Sequence, residues 1–219
     1  MRDTYVAELE ELHLQTEVMG VRVDANLERM RTVLETADRE LADQAVAADD
    51  EIDAMNVSLT ERCYALAGPE PAVASDLRLG VTVIRLIGEL ERTGDLSLRV
   101  TKTAPLEPHL DAHRPTFDVL LAMADDAVGR YRTALKAWAT EDLAEAEGLA
   151  AGSAIMDHQC LRLTTELLGV EGPDPVALAL RTAQAGKALE RIGDHATVIG
   201  ARVRYLITGD PSHLAAEVR

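Results

Sequence analysis

The sequence predicts an all-α fold made of two tandem three-helix bundles, six long helices in all. Three observations carry this. Aromatic residues make up only 3% of the chain while Ala and Leu abound, a balance that favours helix over strand. Apolar residues recur in steps of three and four over long stretches. The string LERTGD at Leu90 returns as LERIGD at Leu189, so the chain states one unit twice.

In chain order, Leu12, Met19, Val23, Met30 and Leu34 mark the first helix, and Asp38-Arg39 marks a cap before the second. The second stripe runs from Leu41 through Ala45, Ile52, Leu59 and Cys63 to Leu66, and Gly68-Pro69 ends it. The third runs through Leu79, Val83, Leu86, Leu90 and Val100. Pro105, Pro108 and Pro115 then form a linker, which divides the chain into a first repeat (1–104), a Pro-rich connection (105–115) and a second repeat (116–219). Leu120, Met123, Ala127, Tyr131 and Trp138 mark helix four. Thr140 is expected to cap helix five, which Gly169 closes. Asp174-Pro175 opens helix six, with proline at the tolerated first position, and Gly209-Asp210-Pro211 stops it. Met19 and Met123, Asp38 and Asp142, and Asp53 and Asp157 hold equivalent places in the two units.

The 219 residues carry 22 Lys and Arg against 38 Asp and Glu, a net charge of −16. A polyanion recruits clustered cations, so a nucleic-acid partner is disfavoured. Cys63 and Cys160 are placed in apolar helical surroundings, without the spacing of a disulfide scaffold or a zinc site. The N-terminus, MRDTYVAELEEL, is charged and amphipathic, and no apolar run reaches the 18 or so residues of a membrane span, so the chain is expected to be cytoplasmic. No phosphate loop, nucleophile elbow or Ser-His-Asp grouping occurs, so catalysis is not expected.

The acids carry the chemistry. Asp49 and Asp53, Glu91 and Asp95, and Glu190 and Asp194 are i, i+4 pairs, each one step beyond a core position. Each pair therefore lies on one side of its helix, beside the packing seam. Like charges so placed repel, and the repulsion is relieved by a cation held among them. Carboxylate oxygens suit Mg, Mn or Fe and accept Zn. Gly94 and Gly193, inside the repeated ExxGD, allow a neighbour to approach closely. The second unit departs from the pattern, because Ser153 stands where the first has Asp49 and leaves Asp157 alone. A better metal site is thus expected in the first half. Glu10 and His13 read as a surface pair. Arg92 and Arg191 could steer a partner or an anion, or simply pair with neighbouring acids.

DDEID at Asp49, PAVASDLR at Pro71, LERTGD at Leu90, LERIGDHAT at Leu189 and YLITG at Tyr205 together resemble the PhoU family of phosphate-signalling regulators, over nearly the whole chain. The resemblance implies two three-helix bundles related by an internal pseudo-twofold. It also implies metal clusters on paired acidic motifs, here Asp49, Asp53, Glu91, Asp95, Glu190 and Asp194, with Asp157 short of its partner. The implied role is a cytoplasmic negative regulator, an adaptor between a phosphate ABC transporter and a sensor histidine kinase, with a homodimer as the expected assembly. The alternative is a metal-dependent enzyme or metal store using the same carboxylates.

Overall fold

The computed structural model describes residues 2–66 and 74–218. The Gly68-Pro69 break and the first residues of PAVASDLR lie outside the described residues. Seven α-helices occur among the described residues, and no strand: α1 (Arg2–Thr36), α2 (Arg39–Leu66), α3 (Ala74–Thr103), α4 (Arg114–Thr140), α5 (Leu143–Gly148), α6 (Ala154–Leu167) and α7 (Pro175–Thr208). Two short 3-10 turns follow α3 and α7.

The two repeats turn the same corner in the same way. Ala37 and Glu141 each adopt a left-handed conformation, with φ of 54° and 47°, which ends α1 and α4. The next residue then caps the following helix. Asp38 Oδ1 accepts from the amides of Glu40 and Leu41 at 2.9 and 3.1 Å. Asp142 Oδ1 accepts from those of Ala144 and Glu145 at 2.8 and 3.1 Å. The expected cap at Thr140 is corrected by this geometry. Its hydroxyl donates to the Lys136 carbonyl, within the last turn of α4, and so is spent there.

The fifth helix expected from the sequence is two helices. Gly152 takes φ of 71°, and Ser153 caps α6 by accepting from the Met156 amide at 2.9 Å. Leu149, in the break, is 2% exposed and packs against α7 at Gly200, where any Cβ would lie 3.0 Å from the leucine side chain. Docking of that one leucine outweighs helix continuity.

The halves meet through equivalent helices. Tyr131 donates to the Gly20 carbonyl, Arg132 bonds Asp24 and Glu28, and Arg31 bonds Asp125, so α1 and α4 run antiparallel. Gly20 gives Leu135 room to pack there, since a Cβ would stand 2.4 Å from the tip of that side chain and push it aside. His13, read from sequence as a surface residue, stacks on Trp138 with ring centroids 4.2 Å apart. Arg78 meets Gly209 and Glu89 meets His195, so α3 and α7 also run antiparallel. One continuous apolar core joins both repeats. The 105–115 stretch packs onto it through Leu110, 2% exposed.

Candidate functional site

Packing of α2 on α3 brings the first-half acids together. Asp49 is the buried member, 8% exposed, beneath Gly94 on the facing helix. A Cβ at Gly94 would stand 3.2 Å from Asp49 Oδ1, so the glycine makes room for the carboxylate. Burial, followed by the charges of Asp53 and Asp95, pushes the Asp49 carboxyl up to about 6. Glu91 is raised as well, by burial and then by Asp95 and Asp53. Four carboxylates therefore share one electrostatic neighbourhood. Among the described residues, no three His, Cys, Asp or Glu side chains already stand around one point. The donor set suits a hard cation. Holding one requires Asp53 and Asp95, both exposed, and the half-buried Glu91 to close onto Asp49.

The second-half seam has the same skeleton and a different charge balance. Asp157, Glu190 and Asp194 surround Cys160, whose thiol is pushed up to about 11 by burial and then by Glu190. Cys160 thus flanks the acid seam and is only half-buried, while Cys63 is buried as expected. Ser153 is a helix cap that also donates to Asp126 at 2.8 Å. Over Gly193 lies a guanidinium. Arg130 Nε comes within 3.8 Å of the position a Cβ would take there. Its Nη1 donates to the Gly152 carbonyl at 2.8 Å and its Nη2 to Thr197 Oγ1 at 2.7 Å. Lys187 adds a second cation, bonded to Glu190 at 2.7 Å. Asp194 is still raised, by burial and Glu190, with Lys187, His195 and Arg130 opposing.

A PhoU domain family profile matches residues 16–104 and again 120–203, most of both repeats. The chain belongs to the PhoU family. It is 29% identical over 214 residues to the phosphate-specific transport system accessory protein PhoU of Serratia marcescens, covering 96% of this chain and 88% of that protein. It is 31% identical to the Pseudomonas putida homologue, over 95% and 82% of the two chains. The crystal structure of PhoU from Pseudomonas aeruginosa superposes with a TM-score of 0.86 at 28% identity, over 94% of this chain and 100% of that one.

In this PhoU-family chain Arg92 and Arg191, at equivalent positions of the repeated motif, line one groove between α3 and α7. Arg92 also bonds Glu89 at 2.8 Å, and Glu89 Oε2 lies 2.5 Å from His195 Nδ1. Burial alone would raise Glu89, but the hydrogen bond and charge of His195 hold it below the usual range. Sequence reasoning missed Arg130. The available signal was its first-half counterpart, Asn26. The two are 104 residues apart, like Asp49 and Ser153, and their side chains bond carbonyls further along each repeat, Ala45 in α2 and Gly152 just before α6.

No helix among the described residues is long and apolar enough to cross a membrane.

Proposed function

We propose that this chain is a non-enzymatic, cytoplasmic regulator of phosphate uptake and signalling. It acts as an adaptor between a phosphate ABC transporter and a sensor histidine kinase, and holds the phosphate-starvation response off when phosphate is plentiful. The observation that carries this reading is the match, over 96% of the chain, to a protein named as an accessory of a phosphate-specific transport system. Long helices give such a protein extended lateral faces for partners. The absence of any activated nucleophile in the sequence fits a role without turnover.

Asp49, Asp53, Glu91 and Asp95 would hold a divalent or trivalent cation, with Mn, Fe, Mg or Zn all compatible with oxygen donors. Its role would be electrostatic: to neutralise the seam and clamp α2 to α3. The second-half acids Asp157, Glu190 and Asp194 would bind it less well, because Arg130 and Lys187 already supply positive charge there.

The test is secreted phosphatase activity in phosphate-rich medium in a strain lacking this protein. High activity, returned to low by the wild-type gene, is the expected result. Unchanged low activity in a strain with no second copy contradicts the reading, as does failure to pull down either cytoplasmic partner at high and low phosphate.

A further inference from the structure

We infer that one end of the groove between α3 and α7 is a binding site for a phosphoryl dianion. In a chain with 38 acidic residues against 22 basic ones, four arginines converge there: Arg85 and Arg92 from α3, Arg191 and Arg202 from α7. They face two carboxylates, Glu89 and Asp194, so the groove is net positive within a strongly acidic protein. Arg202 lies deep, 7% exposed. Arg85 and Arg191 are exposed and have no ion-pair partner among the described residues. Guanidinium forks match phosphoryl oxygens two at a time, and two approaching from opposite helices suit a dianion better than a halide.

The space is also there. The groove holds about 620 Å³. Gly88 lines it in the middle of α3, where glycine costs about 1 kcal/mol against alanine. A Cβ at Gly88 would meet nothing within 4 Å, so neither packing nor backbone conformation asks for glycine at this position. What the glycine leaves is open floor. Nε2 of His195, also lining the groove, is buried and has no hydrogen-bond partner among the described residues.

The internal repeat supplies a comparison. At the other end of the same seam the motif offset places Gln184 where Arg85 stands and Lys187 where Gly88 stands. That end is lined by Arg99, Lys187 and Arg191 and is smaller, about 390 Å³. The arginine set and the glycine floor coincide at one end only.

Calorimetry on the full chain, in metal-chelating buffer at constant ionic strength, tests this with inorganic phosphate and with ADP. Saturable binding is expected, weakened about tenfold or more in Arg85→Ala/Arg191→Ala, where two of the four guanidiniums are gone. Gly88→Leu fills the floor and should abolish binding while melting at or above the wild-type temperature, since leucine is the better helix former. Phosphate binding identifies the free ion as ligand. Binding of ADP with little affinity for phosphate identifies a phosphoryl group on a larger molecule. No saturable binding of either, or equal affinity in the variants, overturns the site. That failure would leave the adaptor reading standing, since the phosphatase assay tests it separately.

Discussion

In the first repeat Asn26 reaches from α1 to the Ala45 carbonyl, 3.3 Å away, and the seam beyond it holds Asp49 under Gly94. In the second repeat Arg130 reaches from α4 to the Gly152 carbonyl, and the space over Gly193 holds its guanidinium. Both units thus fill the same gap over the same glycine of ExxGD. One fills it with a carboxylate that burial holds back from ionising. The other fills it with a permanent cation. Ser153 belongs to this difference, because its hydroxyl takes the Met156 amide, which leaves the Gly152 carbonyl for Arg130 to bond. A buried acidic seam has to be offset somehow. One fold unit thus buries an acid beneath its glycine in one copy and a fixed cation in the other.

The largest expected break in this comparison is Arg130→Ala. Removal of two charge-assisted hydrogen bonds, which leaves the Gly152 carbonyl without its protein partner while Thr197 keeps its bond to the Gly193 carbonyl, should cost about 3 kcal/mol in urea unfolding. Asn26→Ala should cost about 1 kcal/mol, because its bond to the Ala45 carbonyl is long, at 3.3 Å, and comes from an uncharged donor. Equal losses would remove the distinction between the two seams.

The next effect is on pH dependence. The native Asp49 carboxyl sits near 6, above its unfolded value of 3.8, so between those values the native state binds the extra proton. Metal-free protein should therefore gain stability as pH falls through 6. Asp49→Asn should be more stable than wild type by about 1–2 kcal/mol at pH 7, with the difference shrinking toward pH 5. A flat difference across that range would mean Asp49 is already ionised and paired.

The smallest effects separate the two glycines. Gly193→Ala meets only ordinary contacts, at 3.7 Å or more, and should stabilise by about 1 kcal/mol. Gly94→Ala gains the same helix propensity but crowds Asp49 at 3.2 Å, so its net gain should be near zero. Thermal melts of the two variants side by side resolve this.

Much of this architecture was legible in the residues. The repeat offset placed Asp38 and Asp142 in register, and both prove to be caps. The acid pairs were legible because i, i+4 spacing alone puts two side chains on one side of a helix. The break between α5 and α6 was not. Buried Ala146 and Leu149 keep helical spacing across it, and only the docking of Leu149 against Gly200 of α7 shows why the helix stops. Arg130 was hidden for a related reason. Its partners are a carbonyl 22 residues on and a hydroxyl 67 residues on, and neither leaves a local pattern. The Glu89–His195 contact spans 106 residues and was equally out of reach.

A manganese titration followed by thermal melting tests the asymmetry most directly, on wild type, Asp49→Asn/Asp53→Asn and Glu190→Gln/Asp194→Asn. Binding to the native state at a hundredfold excess over Kd adds about 2.7 kcal/mol, which is roughly 5–10 °C in Tm for a chain of this size. That rise is expected in wild type and in the second-half variant, and its loss in the first-half variant. A rise that survives in the first-half variant, or no rise in wild type, would contradict a cation site in the first-half seam.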